Sequence, residues 1–417
     1  MNSTEKTTAL SVNSDRLWSS LMKHGEIGHT VKGGLNRLAL TDLDKQGRDL
    51  FIEWCEQANC TVTIDEIGNI FARRAGADNS LAPVMTGSHI DTQPTGGKFD
   101  GCFGVMAGLE AIRSLNDLNI QTQAPIELVV WTNEEGSRFP PCMMGSGVFT
   151  GKIPLQEALT TTDEQGISVE QALISIGYNG SKHHIGHPVN AYFEAHIEQG
   201  PILEDEQKQI GVVVGALGQK WYDIDILGVE SHAGPTPMHL RKDASLAGAD
   251  LIKFINQLAL EHAPHGRGTV GCFDVFPSSR NVIPGQVKMT ADLRHLEAST
   301  LESMAAQLIE KTTELQTLYD VQITVTATAD FPPIQFNNDC VNAVRDSAQS
   351  LNLSHSDIVS GAGHDAIFLA DVAAAGMIFI PCENGISHNE LERATKEDLA
   401  AGASVLLNVL LASARRA

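Results

Sequence analysis

Four short runs end in side chains that bind metals. VMTGSHID carries His89 and Asp91, IELVVWTNEEG carries Glu134 and Glu135, YFEAHIEQG carries His196, and MIFIPCENGISH carries His388. In each, the polar group follows an apolar, strand-like stretch. Asp100 stands shortly after His89 in the glycine-rich TGGKFDG. Imidazole and carboxylate together are the donor set of Zn2+ and Mn2+. A lone histidine or acid at a strand end is ordinarily a loop hydrogen-bonder, and an acid pair ordinarily a solvated corner. Here Glu134 and Glu135 close an apolar run just before Gly136, where a surface pair gains little. Consecutive strand residues point to opposite faces, so both acids can reach one site only if the strand has already ended.

Other candidates have weaker settings. SKHHIGHP carries His183, His184 and His187 but follows no strand-like run, so it is read as a surface loop. His262 and His265, in EHAPHG at a helix end, are read the same way. Cys142, in PPCMMGS, lacks a neighbouring His or Lys to activate it and is read as buried packing.

The elements that must position these groups alternate. Helical Ser14–Lys23 and Asp42–Ala58 are followed by strand-like Thr61–Ile64 and Val84–Thr86, a helix near Gly104–Leu115, and strand-like Ile126–Thr132, Tyr192–Ile197 and Gln209–Val214. That grammar predicts an α/β domain with a central, mostly parallel mixed sheet flanked by helices. In such sheets, sites lie beyond the carboxyl ends of the strands, so loops from four strands can meet in one crevice. Residues 218–330 read differently, as strand, helix, two strands, helix, strand. This βαββαβ order predicts a ferredoxin-like α+β unit. Residues 331–417 resume the first grammar, so 218–330 is read as an insertion into a discontinuous catalytic domain of 1–217 and 331–417.

Composition narrows the class. The 417-residue chain has net charge −22, from 51 acidic against 29 basic residues. This disfavours nucleic acid and anionic membranes as partners but leaves room for a small anionic substrate. Seven scattered cysteines without a CxxC pair fit a reducing compartment. The polar start MNSTEKTTALSV lacks the apolar core of a signal peptide, and no uninterrupted apolar run approaches the ~20 residues of a membrane span. The expectation is a soluble, cytoplasmic protein.

GSHIDTQPTGGKFDG, TNEEGSRF, HIEQGPILEDE, SHAGPTPM followed by RKDA, SGAGHDA and GISHNE, in that order, resemble the hydantoinase/carbamoylase branch of the M20-type metallo-amidohydrolases. That branch holds N-carbamoyl-L-amino acid hydrolases, bacterial- and yeast-type β-ureidopropionases and allantoate amidohydrolases. The resemblance implies two divalent ions per subunit, Zn2+ or Mn2+ with Co2+ and Ni2+ as substitutes. Asp100 would bridge them, with His89 and His196 completing one site and Glu135 and His388 the other. A carboxylate tends to replace His196 in M20 peptidases. Glu134 would be the general base and Asp91 an outer partner that orients a ligand. Asn281 and Arg294 would grip a substrate carboxylate, Gln199, Gly363 and His364 would line the pocket, and His232 would polarise the carbonyl from across a homodimer formed by the inserted lid. The alternation of Gln286–Arg294 independently points Arg294 away from the apolar face. Relatives also hold the peptide after the bridging aspartate, here Asp100–Gly101, in the cis form.

The expected reaction is hydrolysis of an N-carbamoyl amino acid to amino acid, ammonia and carbon dioxide. Allantoate hydrolysis is the rival within the class, ahead of peptidase action. Outside it stand a metal-free amidase using Cys142 and a metal-binding protein without turnover, which would have no need of Glu134.

Overall fold

The computed structural model of the chain describes residues 9–416; the polar start Met1–Thr8 lies outside the described residues. The chain forms two compact units, residues 215–335 and the segments on either side of them. The edges fall a few residues outside the expected 218–330. Ala216 and Gly215 pair with Ile334 and Gln335, so the entering and leaving strands zip together before they part.

The larger unit is built on one sheet. From one side its strands run Thr61–Ile64, Ile70–Arg74, Ile126–Trp131, Val84–His89, Ala191–Ile197, Ala374–Ile380 and Ile210–Ala216, and His355–Ser360 pairs with Ile210–Ala216. The four central strands are parallel. Pairings beyond them, to Ile70–Arg74 and Ile210–Ala216, are antiparallel. Every residue of Val84–His89, Ile126–Trp131 and Ala191–Ile197 is buried, the pattern of parallel strands covered on both faces. Ile70–Arg74 and His355–Ser360 escape a reading by periodicity. The first is five residues long and ends in two arginines; the second, HSDIVS, is mostly polar.

Cys102–Asp117 and Lys396–Arg416 pack on this sheet and on each other. Lys396–Arg415 is long and apolar enough by composition to cross a membrane, but it is 67% buried within the structure, as a core helix is. Cys102–Asp117 lies unusually close to the strands. A Cβ on Gly104 would sit 2.3 Å from the Ala195 carbonyl oxygen, and one on Gly108 2.6 Å from Leu128 Cδ1.

In the smaller unit the strands lie in the order Phe273–Phe276, Gln286–His295, Gly218–Leu227, Gln322–Phe331, all neighbours antiparallel. Helices Ala244–Glu261 and Ala298–Tyr319 bury one face of it against Val287, Met289, Ala291 and Leu293. This is the ferredoxin-like arrangement. Where the βαββαβ order has one strand before Gln286–His295, two short ones, Arg267–Thr269 and Phe273–Phe276, each pair with it.

Gly104→Ala tests the close approach. Alanine favours helix by about 1 kcal/mol, yet overpacking against a backbone carbonyl costs about 1–3 kcal/mol. Net destabilisation is expected, read as a lower urea midpoint; a stabilised variant would show that the helix can retreat from the sheet.

Candidate metal centre

The four parallel strands deliver their carboxyl ends to one edge of the sheet. His89 is the last residue of its strand, His196 is next to last in its own, and Glu134–Glu135 and His388 follow theirs. The backbone at these ends is bent. Asn133 (φ 54°), Gln199 (φ 57°) and His388 (φ 53°) all occupy the left-handed region, which costs a non-glycine residue of order 1 kcal/mol or more. The Ile126–Trp131 strand has ended before Asn133, so Glu134 and Glu135 are freed from opposite-face alternation.

Asp100 lies at the centre. Its Oδ1 is 3.3 Å from His196 Nε2 and 3.7 Å from His89 Nε2, while its Oδ2 is 3.4 Å from His388 Nε2. Glu135 Oε2 is 3.3 Å from the same His388 nitrogen, and Glu134 Oε2 is 3.4 Å from His89 Nε2. Of three donor groups among the described residues with ligand atoms within 4.8 Å of one another, two contain Asp100, His89–Asp100–His196 and Asp100–Glu135–His388, and the third is Glu194–His196–His364. Asp100 therefore offers one oxygen to each of the first two.

The histidine tautomers fit ligation. His89 Nδ1 lies 2.9 Å from the Asp91 carbonyl and His196 Nδ1 2.9 Å from the Ile197 carbonyl; a carbonyl only accepts, so both rings carry their proton on Nδ1. That leaves each Nε2 lone pair turned toward Asp100, and the Gly101 N–H already donates to that of His196 at 3.2 Å. Such backbone pinning of the second ring nitrogen is how metal-binding imidazoles are oriented.

The carboxylates are held as deliberately. Asp91 accepts the N–H groups of Glu134 and Glu135, one on each oxygen, both at 3.2 Å. Its side chain thus fixes the acidic turn, while its main chain orients His89. Gln93 donates to both oxygens of Glu135. Gln199 and Ser387 each donate to Asp100 Oδ2 at 2.9 Å.

Charge supplies the reason for a cation. Burial first, then the carboxylates of Asp365 and Glu135, push Glu134 well above the ordinary range. Burial, then Asp100 and Asp91, does the same to Glu135. Asp91 is pushed up to about 7 by burial and by Asp44, and burial brings His89 down to about 4. The carboxylates of Asp91, Asp100, Glu134 and Glu135 crowd one buried point, and divalent ions fit that concentration of negative charge.

The other sequence candidates divide between the units. His364 is buried with its ring 4.5 Å from that of His196, and its Nε2 has no partner; a Cβ on Gly363 would touch Met143. His232, Asn281 and Arg294 belong to the smaller unit. Val282 pairs with His232, and Gly234 N–H donates to His232 Nδ1, so the ring proton sits on Nε2. Arg294 bonds Asp292 at 2.7 Å. Cys142 is exposed rather than packed, and its thiol is pushed up rather than activated, by partial desolvation and then by the Asp365 and Glu135 carboxylates. The Asp100–Gly101 peptide is not cis: among the described residues the cis bonds all precede proline. Gly101 makes the turn at φ 62° instead, where a Cβ would lie 2.3 Å from the His89 ring.

Three buried groups behind the site were not anticipated. Arg37 donates to the Ile90 carbonyl between His89 and Asp91, Arg48 to Thr132 Oγ1 beneath the acidic turn, and Glu392 accepts the Asp100 N–H. In sequence each looks like a surface charge.

Fold and donor set together are those of a metal-dependent hydrolase. The sequence profile of Peptidase family M20/M25/M40 matches residues 85–412. An N-carbamoyl-L-amino-acid amidohydrolase of Rhizobium meliloti is 46% identical, across 97% of this chain and 97% of that one. A ureidoglycolate hydrolase of Arabidopsis thaliana is 33% identical, across 96% of this chain and 86% of its own. The solved structure of a hydantoinase/carbamoylase family amidase from Burkholderia multivorans is 52% identical and matches with a TM-score of 0.95, covering 97% of this chain and 98% of that one. The chain belongs to the M20/M25/M40 family, in its hydantoinase/carbamoylase branch.

Raised carboxyls that ligate a cation must release their protons to do so. Metal affinity should therefore rise with pH through the range where Glu135 deprotonates. Titration calorimetry of Mn2+ into metal-free protein, in buffers of different ionisation enthalpy near pH 7, should show proton release; uptake without release would contradict the charge argument.

Proposed function

We propose that the chain is an N-carbamoyl-L-amino-acid amidohydrolase. The observation that carries this is Asp100, presenting one oxygen to each of two donor groups, in a chain 46% identical to a relative of that name. His89, His196 and Asp100 would hold one divalent ion, and Asp100, Glu135 and His388 a second, with Zn2+ or Mn2+ as the ions. Bound there, they supply Lewis acidity, which a ureido carbonyl deactivated by two nitrogens needs, and they acidify water.

The chain's own groups do the proton work. Glu134, its N–H tied to Asp91, takes a proton from the attacking water and returns it to the departing nitrogen. His232 offers its Nε2 proton to the carbonyl oxygen as charge develops there. Arg294, steadied by Asp292, and Asn281 bind the substrate carboxylate. Amino acid, ammonia and carbon dioxide leave.

One chain cannot bring all three of those residues to one substrate. His232 and Asn281 lie beyond the Gln286 end of Gln286–His295, where the Gly218–Leu227 ladder continues outward as the Ser231–Ile283 pair. Arg294 is near the other end, ~27 Å away along extended strand. This separation supports a homodimer in which Arg294 from one copy and His232 from the other complete a site. The seven free cysteines support a cytoplasmic setting.

The substrate test is ammonia release from several N-carbamoyl-L-amino acids, N-carbamoyl-β-alanine, allantoate and ureidoglycolate. The N-carbamoyl-L-amino acids should lead, and a ureidoglycolate or allantoate lead would favour the second reading suggested by the plant relative. Chelation should abolish turnover and Mn2+ restore it, while Glu134→Gln should keep its metal and lose roughly 10²–10⁴-fold in kcat. Full activity in metal-free protein would sink the proposal.

The dimer has its own test. Arg294→Ala and His232→Ala are each expected to be inactive, yet refolded together they should recover about a quarter of wild-type activity. Half the dimers are then mixed, and each mixed dimer keeps one intact site. No recovery would return both residues to the same chain.

A further inference from the structure

Glu392 is a buried carboxylate to which neither the family motifs nor the proposed chemistry gives a part. It stands in the loop after His388 and is 5% exposed. Its Oε1 accepts the N–H of Phe99 at 2.8 Å and of Asp100 at 3.1 Å, two consecutive backbone donors from a segment 292 residues earlier in the chain. Its Oε2 lies 3.3 Å from Ser387 Oγ, and Ser387 Oγ lies 2.9 Å from Asp100 Oδ2. A hydroxyl has one proton, and the shorter distance gives it to Asp100. The glycine-rich loop is shaped around this side chain: a Cβ on Gly97 would fall 2.1 Å from both Glu392 Cδ and Oε1.

We propose that Glu392 is a positioning residue that sets Asp100 as a two-faced ligand. It clamps the main chain of Asp100 from behind, and through Ser387 it lies against the side chain as well. The same side chain thereby ties the Asp100 loop to the His388 loop, the two segments that must agree in position for Asp100, Glu135 and His388 to share a cation. Loss of the clamp frees Asp100 to rotate or withdraw by fractions of an ångström, which a shared carboxylate ligand cannot tolerate. The inference rests on the two-cation reading above.

The test is Mn2+ binding by calorimetry to metal-free full-length protein, alongside kcat and KM. Glu392→Ala is expected to weaken Mn2+ binding about 10–100-fold, the usual loss for a partner that orients a metal ligand. It should lower kcat with KM within about twofold, because the substrate grip lies elsewhere. Glu392→Gln keeps the oxygen that accepts both N–H groups and should stay within about threefold of wild type in affinity. Should Glu392→Ala fail to fold, Glu392→Asp is read in its place, since it keeps the charge but is one methylene short of the two N–H groups. The proposal is overturned if the folded variant binds Mn2+ within about twofold of wild type, whatever its Tm, or if Glu392→Gln loses as much affinity as Glu392→Ala. If wild-type protein itself binds no Mn2+, the two-cation reading fails first, and that outcome is separate from any difference among the variants.

Discussion

Asp100 points one oxygen at a pair of histidines and the other at a third histidine beside a glutamate, and most of the larger unit serves to hold that pose. A buried carboxylate left to itself would turn toward whichever donor desolvates it least. Here the backbone is gripped by Glu392, Oδ2 is fixed by Gln199 and Ser387, and Oδ1 faces nitrogens whose tautomers are set by carbonyls. Cations would offset the burial, and after it the neighbouring carboxylates, that push Glu134 and Glu135 above the ordinary carboxyl range.

The scaffold divides rigidity from strain. Strands buried along their whole length fix where the ligand-bearing ends emerge, and Gly104 and Gly108 let a helix lie directly on them. Strain is present at the rim, where Asn133, Gln199 and His388 all take left-handed backbone. Residues with that geometry persist only when their surroundings over-determine them, as here, where Asp91 accepts both N–H groups of the acidic turn and Gln93 donates to Glu135. Buried cations do similar work from behind, with Arg37 fixing the carbonyl between His89 and Asp91 and Arg48 the threonine before the acidic turn.

The smaller unit obeys a different constraint. An antiparallel sheet ten residues long in its central strands sets Arg294 near one end and His232 beyond the other.

Much of this was legible in the chain. The donors at four strand ends follow from apolar runs that stop at histidines and acids, and the inserted βαββαβ grammar follows from a change in the order of periodic segments. Both are local signals, carried by neighbours within a few residues. What the sequence could not show is who holds whom: that Asp91 grips the acidic turn with its side chain and His89 with its main chain, that Glu392 reaches back 292 residues to Asp100, that Cys142 faces outward, and that Gly101 turns without a cis bond. Short or charged strands such as Ile70–Arg74 and His355–Ser360 were hidden for the same cause. Residue types and periodicity decide which groups can ligate and which segments must be buried. The partner of each buried polar group is chosen only when distant backbone is brought alongside it, and that choice belongs to the tertiary structure.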